Sequence, residues 1–201
     1  MTANVNKLLE STSRLDNSAG SRSNTTELVV EKCIINHLSK QFDEVCPAQI
    51  VGGAIIGTDG NQIVQWDSIL RCKKGGDNLV VYFIEVKVIP HAADIVATEE
   101  RRSLDLANKV QKTEMYFKEL ENINDTGRAQ QFIDQNYYLR PFINRNRVYV
   151  YASRRMHGDV IKRLRSVVPV PGVSGNVSLA YAQCEHYSDC VLTEINGSSL
   201  A

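Results

Sequence analysis

The run Leu79-Val80-Val81-Tyr82-Phe83-Ile84-Glu85-Val86-Lys87-Val88-Ile89 is apolar almost throughout, and Pro90 closes it. Branched and aromatic residues at this density specify a β-strand. Within it stand two opposite charges, Glu85 and Lys87, one residue apart. Side chains alternate across a strand, so both point to the same face. Charges inside so apolar a strand are expensive unless something pairs them or uses them. Any fold available to this chain has to bury the strand and give those two charges a purpose.

The flanking sequence supplies the other elements. Asn24 can cap a helix, with Glu27 three residues on closing a capping box. Leu28, Ile35, Leu38 and Phe42 then recur at helical spacing and predict a buried stripe, and Glu31 falls on it. Ala48 to Ile56 reads as a strand, and Thr58-Asp59-Gly60-Asn61 as a hairpin turn. From Gln62 to Arg71 the residues alternate, with Ile63, Gln65, Asp67 and Ile69 on one face and Val64, Trp66, Ser68 and Leu70 on the other. Lys73 to Asn78 is a second turn. Thr98 to Glu121 predicts a helix whose apolar side is Leu106, Val110, Phe117 and Leu120, with Lys109, Lys112 and Tyr116 sharing another face. Asn122 to Asn136 reads as a loop. Arg147 to Ala152 is a strand, Asp159 to Val167 a short helix and Asn176 to Gln183 a last strand. Three strands joined by tight turns, then a helical crossover, predict an α/β (α+β) fold: a mixed sheet flanked by helices.

At 201 residues, 43% hydrophobic and 23% charged, the chain is an ordinary globular one. Residues 1–24 are Ser-, Asn- and Thr-rich and are expected to be a disordered leader, and 25–201 a single domain. The start of the chain does not read as a classical secretion signal and no apolar run is long enough to span a membrane, which points to an intracellular protein of cytoplasm or nucleus. Cys33, Cys46, Cys72, Cys184 and Cys190 are odd in number and irregular in spacing, so reduced thiols are expected rather than a disulfide framework. Cys184, His186 and Cys190 resemble half a zinc site without its other half, and strand-end residues are the plainer reading. The formal net charge is zero, which argues against a non-specific nucleic-acid coat. A local basic bias runs from Arg140 to Arg165. It reads either as a solvated surface or as a face that contacts phosphates.

Two carboxylates on neighbouring strands, Asp67 and Glu85, repel unless a cation lies between them. Hard divalent ions bind through one or two such carboxylates plus phosphate and water. Lys87 projects beside the same spot, where an ammonium can hold water, act on it if its pKa is lowered, or offset charge on a phosphate. Glu31 can approach from the first helix. A pair of surface charges on a half-exposed sheet would also give this pattern.

In the order and placement of these residues the chain resembles the PD-(D/E)xK nuclease superfamily, and is similar in particular to archaeal Holliday-junction resolvases and restriction-endonuclease-like domains. Val30-Glu31 to Leu38 looks like the family's first-helix motif. Trp66-Asp67 corresponds to its Pro-Asp motif with Trp in place of Pro, and Phe83-Ile84-Glu85-Val86-Lys87 matches the (D/E)xK strand. The resemblance covers Thr25 to Ala152 and implies an αβββαβ core. It further implies hydrolysis of phosphodiester bonds of nucleic acid, DNA in the first instance, by metal-activated water. Asp67 and Glu85, with the Val86 carbonyl and Glu31, would hold Mg²⁺ or Mn²⁺, and Lys87 would orient the nucleophile. Lys109, Lys112, Arg147, Arg154 and Arg155 would meet the nucleic acid. Members are often homodimers. A catalytically silent domain of the same fold, binding nucleic acid or protein, is the alternative.

Overall fold

The computed structural model describes residues 22–47, 53–57, 60–76, 78–87, 95–122, 137–153, 177–184 and 190–195. Helix α1 (Arg22–Leu38) precedes β1 (Glu44–Pro47), β2 (Gly53–Ile56), β3 (Gln62–Trp66), β4 (Ser68–Lys74) and β5 (Asn78–Lys87). Helix α2 (Ile95–Asn122), a 3-10 turn at Tyr137–Phe142, β6 (Asn146–Ser153), β7 (Val177–Gln183) and β8 (Val191–Glu194) follow. The expected helix over 159–167 lies outside the described residues.

Six strands form one mixed sheet in the order β1-β4-β5-β6-β7-β8, and β2 and β3 form a separate hairpin. β4 pairs with β5 antiparallel, whereas β5, β6 and β7 run parallel. The parallel β5–β6 step requires a crossover, which contains α2. The expected mixed sheet flanked by helices is therefore present. Two strands were not anticipated, β1 and β8, both short and both on sheet edges, where alternation is weakest.

The sheet separates two apolar layers. On one face α1 contributes Val30, Cys33, Ile34 and Leu38 against Leu70, Ile84, Val86, Val150 and Ala182. On the other, α2 contributes Leu106, Val110, Phe117 and Leu120 against Trp66, Ile69, Phe83, Tyr149 and Leu179. The α2 stripe is the one its periodicity predicts. The α1 stripe is shifted, because Leu28 is exposed and Val30, Cys33 and Ile34 are buried in its place. Tyr116, expected on a polar face, is buried in the α2 layer.

The two turns hold where glycine permits them. Gly60, Gly75 and Gly76 all have positive φ, a backbone that L-residues rarely adopt. Asp43 locks the second turn by accepting from Gly75 N–H at 2.8 Å.

Candidate active site

Strand alternation fails at one residue, and that residue makes the site. Val64 and Trp66 face the α2 layer, and so does Ile69, while Leu70 faces α1. Regular pleating from 64 onward would put Ile69 on the opposite side. The parity changes because the chain bends at Asp67, between β3 and β4. An extra residue at a bend shifts the facing pattern by one, as at a bulge. The expected single strand from Gln62 to Arg71 is thus two strands that belong to different sheets.

Beyond Ser68, which pairs with Ile84, β4 no longer covers β5. On its other side β5 stays paired with β6 as far as Lys87 and Ser153. Asp67 takes over the exposed edge. Its N–H donates to the Ile84 carbonyl at 3.1 Å, and its Oδ2 accepts from Val86 N–H at 2.6 Å. The Asp67 side chain thereby supplies the acceptor that a continuing strand would have supplied, and it is held beside the segment that carries Glu85.

Glu85 is only 1% exposed. Two lysines meet its carboxylate: Lys87 Nζ pairs with Oε1, and Lys109 Nζ, from α2, donates to Oε2 at 2.6 Å. Burial alone would lower the Lys87 pKa. The hydrogen bond and charge of Glu85, together with Asp67 and Asp105, outweigh it and hold Lys87 above its ordinary value. Lys87 is therefore an ammonium at neutral pH, and the reading in which it acts as a base through a lowered pKa is not the one this geometry favours.

Trp66 forms the wall beneath. Lys109 Nζ lies 5.8 Å from its ring centroid, a cation–π distance. Trp66 Nε1 donates to Thr113 Oγ1 at 3.1 Å, and Thr113 Oγ1 donates back to the Lys109 carbonyl at 2.8 Å. These bonds key the Lys109 turn of α2 to the end of β3.

Glu31 reaches the neighbourhood from the other side of the sheet. Ser68 Oγ, itself buried, donates to Glu31 Oε1 at 2.7 Å. Burial raises the Glu31 carboxyl pKa, and the Ser68 hydrogen bond opposes this only in part. Asp67, Glu85, Lys87 and Lys109 are thus one cluster, and Glu31 touches it through Ser68, the residue next to Asp67.

The remaining expected residues separate. Lys112 is exposed on α2. Arg147, expected to contact phosphate, is only 5% exposed. Its Nε and Nη2 donate to the two oxygens of buried Glu114 at 2.7 and 2.8 Å. Tyr149 also bonds Glu114. A guanidinium committed in this way is a core brace rather than a backbone grip. Arg154 and Arg155 lie outside the described residues. The Val86 side chain packs on the α1 layer, and its main chain pairs with β6 at Ala152.

Sequence reasoning missed Ser68 and Asp105, and it did not connect Lys109 with Glu85. A signal existed for Asp105. It lies four residues before Lys109, hence on the same face of α2. Nothing local marks Ser68, since its partner is 37 residues away.

As a donor set, Asp67, Glu85 and a main-chain carbonyl are the hard oxygen ligands that Mg²⁺ selects. In this structure both oxygens of Glu85 meet ammonium groups. Comparison of the chain with family models, curated proteins and solved structures gave no match.

Proposed function

We propose that the chain is a metal-dependent nuclease with a PD-(D/E)xK-type, restriction-endonuclease-like core, hydrolysing phosphodiester bonds of nucleic acid, DNA foremost. One observation carries the reading. The bend at Asp67 sets its main-chain N–H on the Ile84 carbonyl and its carboxylate on the Val86 N–H, one on each side of Glu85, and Lys87 joins the same cluster. Bringing acid, acid and ammonium together at the end of a strand pair costs desolvation, which a purely structural sheet has no need to incur.

In this reading Asp67 and Glu85, with the Val86 carbonyl, would hold Mg²⁺ or Mn²⁺. The ion would supply a lowered pKa for bound water and neutralise charge on the phosphate. Lys87, kept protonated, orients the attacking water and offsets charge that builds on the phosphoryl oxygens. Lys109 shields the second oxygen of Glu85 and is the next cation available to a phosphate. Glu31 acts as a positioning residue, through Ser68, on the Asp67 bend. Lys112 extends the basic side of α2 toward the nucleic acid.

A second reading has its own support. Both oxygens of Glu85 are taken by ammonium groups, so the cluster is already neutralised, as in a silent domain of this fold that binds without cutting. Incubating the full chain with labelled single-stranded, duplex and branched DNA, and with RNA, in Mg²⁺ or Mn²⁺ separates the two. Asp67→Asn preserves the acceptor for Val86 N–H while removing the charge, so it is the informative variant beside Lys87→Met. Cleavage that stops on chelation and falls by about 100-fold or more in both variants supports the nuclease. A folded wild type that cuts none of the substrates supports the silent domain.

A further inference from the structure

Away from the Asp67 cluster, three cysteines from three separate elements meet in the α1 layer. Cys33 lies on α1 between the buried residues Val30 and Ile34, so it faces the sheet. Cys184 follows β7, and its N–H donates to the Ser153 carbonyl at 3.0 Å, which fixes it at the end of β6. Cys190 precedes β8. Gln183 pairs with Val191 across the antiparallel β7–β8 ladder, so Cys184 and Cys190 stand opposite each other one step further on. Their Cα atoms are 4.3 Å apart, the spacing of a cross-strand pair whose side chains share a face. That face is the one α1 covers, and Cys33 meets them there with a Cα–Cα separation of 5.6 Å from Cys190. All three residues are at most 3% exposed, and their sulfurs lie within 4.8 Å of one another.

We propose that Cys33, Cys184 and Cys190 bind one zinc ion as a three-thiolate centre. The number of thiols decides between the chemistries available. The Cys190 sulfur lies against both of the others, and a sulfur forms only one disulfide. Either pairing would leave a third buried thiol pressed on the bond. A soft, tetrahedral cation takes all three at once. Three thiols bind Zn²⁺ with release of three protons, and no oxidant is needed. The fourth position of the ion goes to water or to a further donor, since among the described residues the cluster offers three. Cys184 and Cys190 are two of the three residues that resemble half a zinc site in the sequence. The third, His186, lies outside the described residues, and Cys33 is the ligand that only the fold supplies. The ion would fasten α1, the helix that carries Glu31, to the far edge of the sheet. The proposal does not depend on the nuclease reading, because it concerns different residues and a different class of metal.

The test is metal content of the full chain purified under reducing conditions without chelator. One zinc per chain is expected. It should fall to well under half in Cys33→Ser, Cys184→Ser and Cys190→Ser and stay at one in Cys46→Ser, since Cys46 lies elsewhere. Replacement by Co²⁺ gives a second readout on the wild type alone: thiolate-to-cobalt charge-transfer absorption whose intensity reports three sulfurs. This keeps the test decisive if a cysteine variant fails to fold. A wild type without zinc that shows no cobalt–thiolate absorption would overturn the proposal. So would a denatured thiol count two short of five in protein purified without reductant that stays metal-free once reduced, because that pattern belongs to a disulfide.

Discussion

Glu85 shows how one buried charge organises its surroundings. It is almost fully inaccessible and has a lysine on each oxygen. Removing one of these partners leaves part of a buried carboxylate unsatisfied. Lys109→Met is therefore expected to destabilise the protein by about 1.5–3 kcal/mol, the range for a hydrogen bond to a charged group, read as a lower urea midpoint at unchanged slope. Arg147 is a more severe case. Both its partner and itself are buried, and Arg147→Met would strand Glu114, so a loss of about 3–5 kcal/mol is expected by the same measurement. Glu31 behaves in the opposite sense. Its carboxyl pKa is raised in the folded state from an ordinary value of 4.5, chiefly by burial. The folded chain then holds that proton more tightly than the unfolded chain. The contribution is full below 4.5 and is lost as pH rises through the folded pKa, so ionised Glu31 weighs against folding at neutral pH. Glu31→Gln keeps an acceptor for Ser68. It should raise the melting temperature at pH 7, with the gain shrinking toward zero as the pH is taken down to 4. A gain that is the same at both pH values would contradict the assignment.

At the scale of elements, the hairpin β2–β3 and the sheet meet at Asp67, and Gly53 controls how closely they do so. Gly53 pairs with Trp66, and a Cβ added there would stand 2.3 Å from the Trp66 carbonyl oxygen. That is backbone, which cannot swing aside. Gly53→Ala is expected to cost about 1–3 kcal/mol and to displace Trp66, the residue before Asp67; the thermal midpoint and the fluorescence of the single tryptophan would report both effects. The elements themselves were largely legible. β5, α2, β6 and β7 follow from runs and periodicities that burial dictates, and their extents differ from expectation by only a few residues. The parity change at Asp67 was not legible, since alternation continues through the letters whether or not the backbone bends. The shifted stripe of α1 was missed because Leu28 is as apolar as Val30, and only the docking angle decides which is covered. Arg147 reads as one of a basic series, yet its partner Glu114 is 33 residues away. Charge counts along a sequence do not reveal such pairs.

Across the whole molecule, one sheet carries two separate polar centres on opposite faces. The Asp67–Glu85 cluster lies on the α2 side, and the three cysteines lie under α1. Among the described residues no helix is long and apolar enough to cross a membrane. If α2 presents the nucleic-acid face, exposed Lys112 should contribute one phosphate contact. Lys112→Ala would then weaken duplex binding by a similar factor on every sequence and reduce the slope of log K against log salt by about 0.9. An unchanged slope would place the nucleic acid elsewhere on the surface. The central claim, that Asp67 and Glu85 form one divalent-cation site, is tested most directly by titrating Mn²⁺ into the full chain and following free Mn²⁺ by electron paramagnetic resonance. The account predicts saturable binding of Mn²⁺ by the wild type, displaced by Mg²⁺ and lost in folded Asp67→Asn and Glu85→Gln. A folded wild type that leaves Mn²⁺ free, or binding that survives both substitutions, would contradict it.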